Sequence, residues 1–314
     1  AVCNDTGKET PSYVTDRLGK LCHYMMACAY PTGSTADWGE GSRGYATGEA
    51  YSIVADLLDD DELLYAATSG ADGKAPEETT FKFENLKIVT SRTDWGNEAY
   101  MIFINAKNGG YHNHKDSLAL TMFAKDREVL CDTGMTSYDG NHPHFDWQRH
   151  QTKSHNTIEI DNTGQRGETS TLTGNGDSNI EVYASDSNDR IMAWTDATLG
   201  FRHYRNVSFF KKLKFAVVSD MVSPSDDKPH TYTQNWHVPI NSDVSIDPVT
   251  KIGMSNFTGG SNIKIIQARP DSVEATLQTG YASEGQTVTN YFCYQQNAVG
   301  NVAYDTILLP IEEG

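Results

Sequence analysis

The densest chemistry in the sequence lies in Asn108-Gly109-Gly110-Tyr111-His112-Asn113-His114-Lys115-Asp116, directly before the apolar run Ser117 to Phe123. In extended backbone, residues two apart face the same way, so His112 and His114 project their imidazoles to one side. A hairpin is expected to turn at Lys125-Asp126-Arg127 and return through Val129 and Leu130 to Asp132-Thr133-Gly134. A loop rich in ring side chains follows from Tyr138 to His150, and Ser154-His155-Asn156-Thr157 then enters a strand. Two imidazoles and a carboxylate with an open position suit zinc, whose common ligands are imidazole nitrogen and carboxylate oxygen. The candidate ligands are His114, Asp132 and His155. Simple hairpin pairing sets Asp132 opposite Leu120 or Thr121, which leaves roughly 20 Å of strand before His114 at ~3.4 Å per residue. The segment before Leu118 must therefore fold back if the three are to meet. Spacing alone leaves a plainer reading open, in which the histidines only hydrogen-bond within loops. The same holds for His142-Pro143-His144, which sits in a Pro-containing loop without an obvious third ligand, and Trp236-His237 reads as a packed core pair.

The elements that must position these groups change character along the chain. Ser12 to Ala29 and Thr47 to Ala67 carry apolar residues at three- and four-residue steps and read as helices, separated by a Gly-rich loop. After the polar stretch Thr68 to Thr80 come short β-branched and aromatic runs divided by turn residues, from Leu86 to Ser91 through Val302 to Leu309. The expected organisation is a helical segment over residues 1–80 and stacked antiparallel sheets, a β-sandwich, over 81–314. Two helices alone do not make a domain of this kind, so they are expected to end a larger helical body.

With 314 residues the chain can bury a sizeable core. No stretch approaches the roughly 18–20 apolar residues that span a bilayer, and the start, Ala1-Val2-Cys3-Asn4, reads as a processing point. The five cysteines show no CxxC spacing, which argues against a cysteine-built zinc site or a disulfide framework and leaves room for one bridge. A net charge of −17 opposes nonspecific nucleic-acid binding. An anionic partner must then be held by a local basic patch, for which Arg149 to Lys153 and Arg202 to Lys214 are candidates beside the alternative of a solvated face.

Gly110-Tyr111-His112-Asn113-His114-Lys115-Asp116-Ser117-Leu118, then Val129-Leu130-Cys131-Asp132-Thr133-Gly134, then His155-Asn156-Thr157-Ile158-Glu159-Ile160-Asp161 resembles, in order, the signature of the heparinase II/III family of polysaccharide lyases. Arg205-Asn206-Val207 to Val218-Ser219-Asp220, Trp236-His237 and Leu308-Leu309-Pro310 continue it weakly, so the resemblance runs from about Phe81 to Pro310. It implies an α/α toroid followed by an antiparallel β-sandwich, with a cleft for an acidic polysaccharide. It implies that His114, Asp132 and His155 hold a metal, usually zinc, that His112 faces the substrate, and that Asp116 and Asn156 orient the ligands. The family chemistry is β-elimination on a uronate: a base removes the C5 proton beside a carboxylate, and the glycosidic oxygen leaves C4. His112 is then a candidate for neutralisation or proton transfer, and Tyr138, Arg149 and His150 for a loop closing over substrate, against the reading of ordinary loop residues. Trp147 either stacks on a sugar ring or plugs the sandwich edge.

Family members carry their Tyr base, with partnering Asn and His residues, on the toroid, of which only two helices are expected here. The expectation is therefore a secreted or periplasmic lyase of heparan sulfate, chondroitin-type glycans or alginate, completed by an upstream toroid segment or a second chain. The competing readings are a noncatalytic carbohydrate-binding sandwich with a structural metal and, last, a cupin-like metalloenzyme.

Overall fold

A computed structural model describes residues 10–37, 48–108, 114–135, 138–166, 176–240, 242–281 and 288–312. In chain order its strands begin with β1 (Thr80–Phe83), β2 (Ile88–Arg92), β3 (Tyr100–Asn105), β4 (Ala119–Ala124) and β5 (Arg127–Leu130). They continue with β6 (Ile158–Ile160), β7 (Ser178–Tyr183), β8 (Asp189–Thr195), β9 (Phe201–Phe210), β10 (Phe215–Pro224) and β11 (Pro229–Trp236). The last are β12 (Asp243–Ile246), β13 (Gly253–Asn256), β14 (Ser261–Gln267), β15 (Glu274–Tyr281), β16 (Val288–Val299) and β17 (Val302–Glu312). β1 to β5 form an antiparallel meander; an eight-stranded sheet runs β12-β13-β14-β17-β10-β9-β8-β7, and a four-stranded sheet runs β15-β16-β11-β6. The molecule is thus mainly β, with antiparallel sheets stacked as a sandwich.

Period-two patterning explains the layers. Along β9, His203, Arg205, Val207 and Phe209 are buried and alternate with half-buried or exposed residues, and β10 answers with Ala216, Val218, Asp220 and Val222. These meet Ile102, Ile104, Leu120 and Met122 from the meander and Trp236 and Phe292 from the four-stranded sheet in one core. β3 and β4 are buried at every position because both faces are covered. The cross-strand pair Met101 and Phe123 points the other way and packs on Tyr30 and Ala36. The Tyr30 ring stacks on Phe123 with centroids 4.9 Å apart, and its hydroxyl donates to Glu128 Oε1 at 2.8 Å.

Among the described residues, three helices precede the strands. The first spans Ser12–Cys28. The expected helix over 47–67 is instead two, Gly48–Leu58 and Asp61–Ala67, broken where Asp59 takes φ 53° and Asp60 caps the next helix by accepting from Glu62 and Leu63 N–H. Their apolar faces share a separate cluster built on Cys22, Met26, Tyr51, Val54 and Leu63. Cys22, Cys28, Cys131 and Cys293 are buried and form no disulfide among the described residues, and Cys3 lies outside them.

One further helix, Pro143–His150, replaces the loop expected there: His142 caps it by accepting from His144 N–H, and Pro143 occupies its first turn, where a missing N–H costs nothing. The second basic run divides. Arg205 and Lys211 are buried in ion pairs with Asp220 and Asp189, and Arg202 pairs with Asp196, while Lys212 and Lys214 are exposed.

Candidate metal centre

His114, Asp132 and His155 meet. Their ligand atoms lie within 4.8 Å of one another, and all three residues are buried. The fold-back that simple pairing demands does occur. β4 and β5 pair through Met122 opposite Leu130, so that Asp132 continues past Leu120. Just upstream, Leu118 adopts a left-handed φ of 63°, and Ala119 N–H closes a turn on the Asp116 carbonyl at 2.9 Å. A non-glycine residue held there needs external support. Ser117 supplies the handle: its N–H donates to Gln165 Oε1 at 2.8 Å, and its carbonyl accepts from Gln165 Nε2 and Thr157 Oγ1, both at 2.9 Å.

His155 enters from the other side, after the 3-10 turn Thr152–Ser154. Asn156 fixes it through backbone groups rather than by touching a ligand side chain. Its amide donates to the Leu120 carbonyl at 2.7 Å and the Cys131 carbonyl at 2.9 Å, and its Oδ1 accepts from His237 N–H at 2.6 Å. Beneath both loops, Arg205 Nη1 donates to the Leu118 and Asn156 carbonyls, each at 2.6 Å, while Nε and Nη2 grip Asp220 at 2.7 and 2.9 Å. Asn156→Ala removes three buried contacts at once and is expected to cost about 3 kcal/mol or more at ~1 kcal/mol per bond. Urea denaturation of the variant measures this directly, and a loss under about 1 kcal/mol would show that the loops are held by other means.

The electrostatics favour a cation. His155 Nδ1 lies 2.9 Å from Asp132 Oδ2, and Gly134 N–H donates to Oδ1 at 3.1 Å. Burial alone would raise Asp132, but the His155 charge and hydrogen bond more than offset it and hold the carboxyl below its usual range. Burial would likewise lower His155, yet Asp132 and then Asp116 raise it. Burial, with His155, pushes His114 down to about 3, and burial lifts Asp116 to about 6. Both ring nitrogens of His114 and Nε2 of His155 are buried with no hydrogen-bond partner among the described residues. Each such atom costs about 1–3 kcal/mol if left unsatisfied, and their convergence on a carboxylate is the donor set that a divalent ion satisfies. Zinc bonds of about 2.0–2.2 Å place tetrahedral donors roughly 3.4 Å apart, so closing the set takes a shift of about an ångström.

The remaining candidates divide. His112 lies outside the described residues. Arg149 and His150 occupy the last turn of the Pro143–His150 helix, close enough that their charges help lower His114. His150 Nδ1 lies 3.3 Å from Asp146 Oδ1, and the Arg149 guanidinium sits 5.2 Å from the centroid of the Phe145 ring. Tyr138 is 68 % exposed in the loop before that helix. Trp147 plugs the sandwich edge, against Tyr281 and Tyr291, and a Cβ on Gly280 would run into its ring. His237 stacks on Tyr291 at 4.4 Å and contacts the Lys153 carbonyl, a core role as expected for the Trp236-His237 pair.

The family model described as "Heparinase II/III-like, C-terminal" matches residues 76–300. The chain belongs to this heparinase II/III-like family. Among curated relatives, the heparin-sulfate lyase of Pedobacter heparinus is 21% identical over 284 residues, covering 88% of this chain and 41% of that protein. The heparin-sulfate lyase of Bacteroides stercoris is 22% identical over 261 residues, covering 80% and 37%. The heparan sulfate lyase HepC from Pedobacter heparinus superposes with a TM-score of 0.85 at 18% identity, over 96% of this chain and 48% of that one. The chain therefore spans less than half the length of these heparinase relatives, and the structural likeness establishes a shared fold.

Proposed function

We propose that this chain is the metal-bearing β-sandwich part of a polysaccharide lyase that cleaves a uronate-containing acidic polysaccharide by β-elimination. The observation that carries the reading is the buried His114, Asp132 and His155 set, with ring nitrogens unpartnered among the described residues, near enough to Arg149 and His150 at the end of a helix for their charges to act on His114. Heparan sulfate is the favoured substrate, because the curated relatives are named heparin-sulfate lyases; chondroitin-type glycans and alginate are the alternatives. In this reading the protein is secreted or periplasmic, where such glycans occur, and a helical toroid segment or second chain supplies the groups absent from the sandwich.

Zinc bound by His114, Asp132 and His155 would supply fixed positive charge that locks two loops together. The set is at most 4 % exposed, so its work is to position the cleft wall rather than to polarise substrate. The reaction needs the C5 proton removed and the carboxylate beside it neutralised as negative charge builds. Arg149, with a planar fork of donors, is suited to pair with that carboxylate or with a sulfate. His150, 41 % exposed at its side chain and oriented by Asp146, is placed to exchange a proton, and His112 and Tyr138 complete the proposed set.

The decisive assay follows ultraviolet absorbance, since elimination creates a conjugated unsaturated uronate. A protein carrying this chain at the full length of its relatives, incubated with heparan sulfate, chondroitin, hyaluronan and alginate, is expected to raise absorbance with heparan sulfate first. Glycan retention on an affinity column without any absorbance change would replace the lyase reading with a noncatalytic carbohydrate-binding one.

A further inference from the structure

A cavity of about 220 Å³ opens between the N-terminal helices and the β2–β3 connection, away from the metal centre. Arg92 pairs with Met101 at one end of β3, while Asn105 at the other end holds Leu118 N–H of the His114 loop. Four residue steps along the strand, Met101 to Asn105, separate the two, roughly 14 Å at ~3.4 Å per residue.

Three donor features converge there. Arg92, 4 % exposed, makes no ion pair with a carboxylate among the described residues. Among the described residues its hydrogen bonds leave from Nη2, chiefly to the Ala29 carbonyl at 2.6 Å and the Ala27 carbonyl at 3.2 Å, and its guanidinium lies 3.9 Å from the Trp95 ring centroid. Asp94, the neighbouring carboxylate, is turned to its own loop, accepting from Thr93 Oγ1 and Gly96 N–H. Tyr51 lines the same cavity at 3 % exposure, and its hydroxyl is buried with no hydrogen-bond partner among the described residues. Gly48, also in the lining, opens the eleven-residue helix Gly48–Leu58, whose positive dipole end favours negative charge. The acidic residue of that turn, Glu49, is exposed and outside the lining.

A guanidinium whose Nε and Nη1 make no hydrogen bond among the described residues, a hydroxyl likewise unbonded there and a helix N-terminus are complementary to one class of ligand. We propose that this cavity binds a small oxyanion, a carboxylate or sulfate group, between Arg92, Tyr51 and the start of the helix, with Trp95 and Tyr65 as aromatic walls. The site is separate from the metal centre and does not depend on the lyase reading.

Calorimetric titration of the chain with sodium sulfate and with sodium D-glucuronate, at constant ionic strength and with glucose as the neutral control, tests this. At least one anion is expected to bind and to raise the melting temperature, while glucose does neither. Binding by both anions points to the charge alone; binding only by glucuronate shows that the aromatic walls read the ring. Tyr51→Phe is expected to weaken binding roughly tenfold, the loss of one hydrogen bond to a charged group. The same variant should melt no lower than wild type without ligand, because the hydroxyl it removes has no hydrogen-bond partner among the described residues. Heat signals for the anions no larger than for chloride, or equal affinity in Tyr51→Phe, would overturn the site.

Discussion

Asp220→Ala is expected to destabilise the protein by about 3–5 kcal/mol, the usual cost of stranding a buried charge. Asp220 receives Arg205 through two contacts, His203 Nε2 at 2.7 Å and Gln234 Nε2 at 2.8 Å, with no exposure of its carboxylate. Burial would raise its pKa; Arg205 and His203 more than reverse that and hold it well below the ordinary range. A carboxylate with a depressed folded pKa contributes stability that is complete above its unfolded value of about 3.9 and is lost as pH falls below it. The wild type should therefore keep this increment at neutral pH, and the variant should lack it at every pH above that point. The damage should also spread, because Arg205 holds the Leu118 and Asn156 carbonyls on either side of the metal set. Urea denaturation together with zinc analysis checks both parts. A variant within about 1 kcal/mol of wild type, with unchanged metal content, would mean the guanidinium is held without Asp220.

Zinc content near one equivalent, falling to near zero in His114→Ala, is the second large effect expected. His114 contributes two partnerless nitrogens, and nothing else among the described residues completes the set. The pH dependence follows from its partner. His155, raised by Asp132 against the pull of burial, carries a proton at higher pH than an ordinary imidazole, and an incoming ion must displace it. Apparent affinity should fall by up to about tenfold per pH unit below the metal-free pKa of His155. His114, pushed down to about 3, adds no competing proton in that range. Competition with a chromophoric chelator between pH 5 and 8 gives the slope; a flat profile, or full metal content in His114→Ala, would refute the assignment.

Much of the scaffold was legible because its strands are long, alternating and bounded by turn residues, as in β9 and β10. The short or weakly patterned elements carry little of that signal. β12 is half exposed, β13 begins with Gly253, and the Pro143–His150 helix lacks an apolar stripe, since it is built mostly of rings and polar groups. The candidate metal set, His114, Asp132 and His155, follows from motif order, while spacing alone leaves it open. The missing information was the turn at Leu118, which no local residue announces: a leucine takes a left-handed conformation because Gln165, 48 residues away, holds Ser117. Arg205 and Asp220 stood in the weaker part of the family pattern, and only the packing shows that they brace the site.

The meander carries a consequence for how this protein can be divided. The segment that matches the family begins at residue 76, yet β3 and β4 are covered on their far side by Tyr30 and Ala36. A chain trimmed only at its N-terminal side, to residue 76, would keep every strand named above and lay bare a strip of Met101 and Phe123 beside them. Exposed side by side on a sheet, such residues are adhesive, and aggregation would follow before any loss of secondary structure. The boundary drawn by homology and the smallest piece that stays dispersed in water are therefore different, and the difference is the stretch around Tyr30.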